Sequence, residues 1–204
     1  MMHTASTIPI GSAEAPGETP WTLPYRGNVG MACLILAESA IFIIFVVAYV
    51  FYIGKSLSGP TPAQVLELPI FGTICLWSSS FTVHFAVSSL RKGKLQSTTL
   101  LLAATVLLGS IFLFMTGLEW YDLIYHKGLT IQTNLFGTTF YSLVGLHASH
   151  VIVGLFLLSL TLLFALMGKV NETHSEKLEV LSLYWHFVDA VWVVVFLVVY
   201  VLGR

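Results

Sequence analysis

Glu38, His84, Glu119, His147, His150, His186 and Asp189 fall inside long apolar runs, and chemistry in this chain would begin with them. His147 and His150 stand three apart, so both imidazoles share one helix face. The sharp reading is a metal or haem site, with His147 and His186 of neighbouring helices both ligating an iron. The plainer reading is hydrogen bonding to helix partners in a packed bundle. A lone His-x-x-His is a weak signal, and the Glu-x-x-His pairs of a di-iron bundle are absent. Glu38 has no lysine or arginine in any apolar run to pair with. It is protonated, bonded to a hydroxyl or histidine, or beside a water path, and proton handling and cross-helix architecture are balanced readings. Asp189 shares a helix face with His186, Trp185 and Trp192, and an indole N–H donates readily to a carboxylate. A structural role leads there.

The elements that position these side chains follow from composition. The chain has 204 residues, 56% hydrophobic and 9% charged, with a net charge of -1. A soluble domain is typically about 25% charged. The mean hydropathy of +0.87 agrees. Apolar runs extend over about Gly27–Ile53, Pro69–Leu90, Ser97–Tyr121, Gly137–Met167 and Leu178–Leu202. Each meets the roughly 20 residues needed to cross a bilayer core about 30 Å thick. Backbone groups in lipid must be satisfied internally, so the runs are predicted to be helices. The expected fold is an all-α integral membrane bundle of five transmembrane helices over residues 27–204, preceded by a polar Pro-rich tail over 1–26. That tail does not read as a signal peptide. Neither an internal repeat nor a second domain is visible.

Charge and small residues complete the reading. With five spans, Arg26, Arg91, Lys92, Lys94, Lys169 and Lys177 share one side, and Lys55, Lys127 and Arg204 the other. The bias places the N-terminus in the cytoplasm. The charge balance leaves no footprint for nucleic acid. Cys33 and Cys75 read as small buried hydrophobes. Phe42, Phe45, Tyr49, Phe51 and Tyr52 read as lipid contact and interface anchors. Gly72, Ser78, Ser79 and Ser80 read as close helix packing. Glu38 lies about 15 Å from the inner end of its helix at 1.5 Å per residue. His147, His186 and Asp189 fall near the same depth, which permits one midplane layer of polar groups.

Several of these stretches together resemble subunit III of the haem–copper terminal oxidases. The run Tyr184-Trp185-His186-Phe187-Val188-Asp189-Ala190-Val191-Trp192 is similar to that family's last helix. The spacing of Gly137, Phe140, Gly145, His147, His150 and Val151 is similar to its His-x-x-His helix. Glu38 with Ile41, Phe42 and Tyr49 resembles the helix that bears the family's carbodiimide-reactive glutamate. Glu67-Leu68-Pro69 and Glu119-Trp120-Tyr121 add to the match, which covers about Gly30–Gly203. The mitochondrial form has two further helices at its start, so a five-span chain points to a bacterial plasma membrane. Val87 and Ser88 stand where some relatives carry paired histidines.

The resemblance implies a non-catalytic subunit that packs on subunit I, beside subunit II, of a proton-pumping oxidase. Haem and copper would belong to those partners, with no metal on this chain. Phospholipid would bind in a cleft between its helices. Glu38 would lie in that cleft and support proton uptake and endurance under turnover. Glu119, His147, His150, His186 and Asp189 would be structural polar groups. Cytochrome c is favoured over quinol as donor to the complex, and subunit-III-like proteins of nitric-oxide reductase clusters are more distant. A haem-binding membrane cytochrome and a small proton-coupled transporter are the readings from other classes.

Overall fold

The computed structural model describes residues 26–203, so most of the Pro-rich tail and Arg204 lie outside the described residues. The chain folds as α1 (Arg26–Tyr52), α2 (Pro62–Val65), α3 (Ile70–Arg91), α4 (Leu95–Tyr125), α5 (Leu135–Leu166) and α6 (Ser175–Phe196). A 3₁₀ turn, Glu172–His174, leads into α6, and a π-helical stretch, Leu197–Leu202, continues it. Among the described residues, five helices are long and apolar enough to cross a membrane: α1, α3, α4, α5 and the unit Glu172–Leu202. The all-α five-span architecture expected from hydropathy is the observed one.

No proline follows Pro69, so none of the last four spans is interrupted. Pro69 sits at the N-cap of α3, and its carbonyl accepts from the Thr73 amide (3.0 Å) and hydroxyl (2.8 Å). Asn134 caps α5 through Oδ1, which accepts from the Gly137 amide at 2.8 Å, so that helix starts before Gly137. The α3–α4 turn is short because Gly93 takes φ +70°, a conformation that disfavours other residues. α4 runs past Tyr121 to Tyr125. Beyond it Lys127 ties the loops at this end of the bundle together. Its ammonium donates to Asp122 (2.8 Å), the Val65 carbonyl (3.0 Å) and Glu67 (3.5 Å). Asp122 first, against partial desolvation, holds that lysine above its ordinary pKa.

α3 and α4 form an antiparallel hairpin, α4 packs on α5, and α6 touches α1, α3 and α5. α1 lies in the seam between α5 and α6. Its inward line is Met31, Ile35, Glu38, Phe42, Phe45 and Tyr49, spaced three or four apart. Phe42 and Tyr49 are 4% and 1% exposed, so these two are not lipid anchors as their aromatic run suggested; Phe51 and Tyr52 do face outward. The correction has a physical cause. In a lipid-facing helix both faces are apolar, and hydropathy cannot choose which ring turns in. Cys75 is buried as expected, but Cys33 is exposed on the outer face of α1.

The centre of the bundle is Trp185 on α6, fully buried. Gly109 on α4 and Gly154 on α5 make room for its ring. A Cβ at Gly109 would lie 3.0 Å from Cζ2 and Cη2, and one at Gly154 would lie 2.8 Å from Cε3 and Cζ3. The small residues that admit close approach are therefore on α4 and α5 as well as α3.

Candidate functional site

The polar residues within the spans divide into separate clusters, each joining a different set of helices. At the α1–α5 seam, Glu38 Oε2 lies 3.1 Å from His150 Nε2. The two side chains are 24% and 15% exposed, so the pair is neither sealed nor open. His150 Nδ1 lies 2.8 Å from the Leu146 carbonyl, which can only accept, so Nδ1 carries a proton. In the neutral ring Nε2 is then an acceptor, and the hydrogen between it and Glu38 must come from a protonated carboxyl. In the charged ring Nε2 donates to a carboxylate. Either way the pair holds one shared proton, and the two forms differ only in which atom carries it. Phe42 packs 5.0 Å from the imidazole, and the Tyr184 hydroxyl donates to the His150 carbonyl at 3.2 Å. Sequence reading had Glu38 bonded to a hydroxyl or histidine among its options; the histidine is His150.

The second cluster joins α3 to α6. Trp185 Nε1 donates to Ser79 Oγ at 2.9 Å, and Trp192 Nε1 donates to Thr73 Oγ1 at 3.1 Å. Each hydroxyl returns its own proton to its helix, Ser79 to the Leu76 carbonyl and Thr73 to the Pro69 carbonyl, which leaves a lone pair for the indole. Asp189 instead accepts from the Ser80 hydroxyl. The expected indole–carboxylate bonds are thus not formed. An indole N–H sits at the far tip of a long side chain and reaches α3, beyond the short arm of an aspartate on its own helix. Ser80 Oγ, its proton given to Asp189, lies 3.1 Å from His186 Nδ1, while His186 Nε2 lies 3.2 Å from Ser182 Oγ. The α3 serines read as packing are also the hydrogen-bond partners of α6. Sequence gave no sign of this, because serine in a membrane helix carries the same signal in both roles.

His147 is 1% exposed between α4, α5 and α6. Its ring stacks on Trp192 (5.0 Å, 29°) and meets the edge of Phe112 at 6.0 Å. His186 has both nitrogens within hydrogen-bond distance of the Ser80 and Ser182 hydroxyls, whereas neither nitrogen of His147 has a partner among the described residues. Near the outer ends, the Tyr200 hydroxyl lies 3.0 and 3.1 Å from the two Glu119 oxygens. Tyr200 was missed in the sequence; only its matching depth on the last helix could have suggested it. His84 is exposed, with its ring 6.4 Å from that of His186.

One further feature adjoins the Glu38 pair. An apolar groove of about 330 Å³ runs between α1 and α6, bordered by Ser39, Phe42, Val46, Phe187, Ala190 and Val194.

The pattern of the family described as cytochrome c oxidase subunit III matches residues 21–204. The chain is 33% identical to cytochrome c oxidase subunit 3 of Bacillus sp. (strain PS3), over 99% of each chain. It is 36% identical to that of Synechocystis sp., over 99% of this chain and 88% of the relative. It is also 30% identical to a probable quinol oxidase subunit 3 of Staphylococcus saprophyticus, over 100% of this chain and 98% of the relative. With its five apolar helices and a match along nearly its whole length, this chain belongs to the cytochrome c oxidase subunit III family, the third subunit of haem–copper terminal oxidases.

Proposed function

We propose that this chain is a non-catalytic subunit of a proton-pumping terminal oxidase in a bacterial plasma membrane, and that the Glu38–His150 pair supports proton uptake by subunit I. The observation that carries the reading is the 3.1 Å contact between Glu38 Oε2 and His150 Nε2 at the α1–α5 seam. A partly exposed carboxyl and imidazole 3.1 Å apart can pass a proton between them with no change in the pair's net charge, and gaining or losing a further proton changes that charge by one, a cost that partial exposure lowers. Glu119, His147, His186 and Asp189 hold helices together in this account, and haem and copper reside on partner subunits.

Docking and lipid follow from the same helices. The outer face of α1, with Leu36 and Ile44 at 72% and 67% exposure, is apolar and available to subunit I. The groove between α1 and α6 fits an acyl chain, being bordered almost wholly by aliphatic and phenyl groups. Charge supports the orientation. Arg26, Arg91, Lys92, Lys94, Lys169 and Lys177 lie at one end of the bundle, and Lys55 and Lys127 at the other, so the N-terminal end faces the cytoplasm. Cytochrome c is the favoured donor; the quinol oxidase relative keeps quinol as the second reading. Copper-binding cysteines in the accompanying subunit II would decide between them. In the assembled oxidase, carbodiimide is expected to label Glu38, and labelling confined to other carboxyls would count against the role given to this pair.

A further inference from the structure

The inner halves of α3 and α6 enclose a cavity of about 300 Å³, separate from the α1–α6 groove. Two imidazoles line it, His84 from α3 and His186 from α6, with ring centroids 6.4 Å apart. Spacing explains the convergence. His84, Ser88 and Arg91 stand four and three apart on α3, and Glu179, Ser182 and His186 three and four apart on α6. Each trio therefore shares one helix face, and both faces meet at the cavity.

The bonds behind His186 decide which of its nitrogens is free to bind. Asp189 takes the hydrogen of Ser80, so Ser80 Oγ accepts from His186 Nδ1, 3.1 Å away. The lone pair of the neutral ring is then on Nε2. That atom lies 3.2 Å from the hydroxyl of Ser182, itself a cavity residue. A carboxylate behind one ring nitrogen orients an imidazole and raises the basicity of the other, which is how metal-binding histidines are supported. Ser80 carries that influence from Asp189. His84 is exposed, and its ring has room to turn. Two imidazoles on one tetrahedral ion, with bonds of about 2 Å, have centroids about 5 Å apart, so a modest rotation of His84 closes the gap.

We propose that His84 and His186 bind a divalent ion of the zinc class, which clamps α3 to α6. Neutral imidazoles suit such ions, whereas magnesium and calcium require oxygen ligands. No third His, Cys, Asp or Glu completes a site among the described residues, so water fills the remaining positions and the ion is exchangeable. Charge permits it. Glu179 offsets Arg91, and Lys92 lies eight residues from His84, roughly 12 Å along the helix.

The test is equilibrium dialysis of the purified oxidase complex, washed free of loosely held metal, against zinc chloride, with bound zinc counted by atomic emission. The parent complex is expected to bind one more zinc than the His84→Gln complex, and zinc-edge X-ray absorption should show two imidazoles on that extra ion. Ser80→Ala keeps both ligands and should weaken this zinc by about tenfold or more, while Ser80→Thr, which keeps the hydroxyl, should bind as the parent does. Excess magnesium should not displace it. Equal zinc in the parent and in His84→Gln, or displacement by magnesium, would overturn the proposal. Carbodiimide labelling of Glu38 should be the same in His84→Gln as in the parent, so this site and the Glu38–His150 reading can each fail alone.

Discussion

Replacing Gly154 with alanine tests the packing at the centre of the bundle. The added Cβ would stand 2.8 Å from Cε3 and Cζ3 of Trp185 and 3.3 Å from Cε1 of Tyr184. The indole has little room to yield. Its Nε1 end is bonded to Ser79 at 2.9 Å, and its Cζ2–Cη2 edge borders Gly109 so closely that a Cβ there would be 3.0 Å away. Overpacking of this kind costs about 1–3 kcal/mol, and loss of the indole bond adds about 0.6 kcal/mol, the average for interhelical bonds in membranes. Alanine is a better helix former than glycine by about 1 kcal/mol, which offsets part of this. The net expectation is a loss of about 1–2 kcal/mol. Gly145 on the same helix supplies the control. A Cβ there meets only Trp120 Cη2 at 3.4 Å, ordinary contact, so Gly145→Ala should be neutral or stabilising. The assay is unfolding of the purified subunit in graded SDS, followed by tryptophan fluorescence. Trp185→Phe in the Gly154→Ala background should recover part of the loss, because the smaller ring vacates the clash. Equal behaviour of the two glycine variants would refute the clasped-indole account.

The remaining expectations concern hydrogen bonds and loops. Ser79→Ala orphans a fully buried indole N–H and should destabilise by about 1–3 kcal/mol in the same SDS titration, while Ser78→Ala, at a part-buried position outside this bond network, should be within about 0.5 kcal/mol of the parent. Tyr200→Phe removes the donor to Glu119; its cost should fall sharply when combined with Glu119→Gln, a coupling a double-mutant cycle would measure. Lys127→Met should loosen the Gly54–Leu68 loop, seen as faster proteolysis there, with helix stability changed by less than about 1 kcal/mol. Because the lysine's pKa is raised in the fold, the ties it makes persist through neutral pH. They are lost only as pH rises above the ordinary lysine range.

The spans were legible because a bilayer demands long apolar helices and this chain carries them with few charges. Helix ends were less so. Hydropathy measures lipid thickness, and α4 continues beyond it to Tyr125, while Asn134 sets the start of α5 by a cap. Side-chain partners were least legible. Trp185, Asp189 and Trp192 share a face by spacing, yet their bonds go to Ser79, Ser80 and Thr73 on another helix, whose approach no single helix reveals. Phe42 and Tyr49 point inward for reasons of the same kind. Glu38 was recognised as an unpaired carboxyl, but its pairing with His150 rather than with the His147–His186 level required the α1–α5 seam.

The central claim is that Glu38 and His150 share a proton that serves the partner subunit. Glu38→Gln keeps a hydrogen-bonding group of the same shape beside His150 and removes only the acid. In the assembled oxidase, reconstituted in vesicles, proton uptake per turnover and the number of turnovers before inactivation should both fall, with the subunit still bound. Unchanged uptake and unchanged turnover lifetime in that variant would contradict the claim and return Glu38 to architecture.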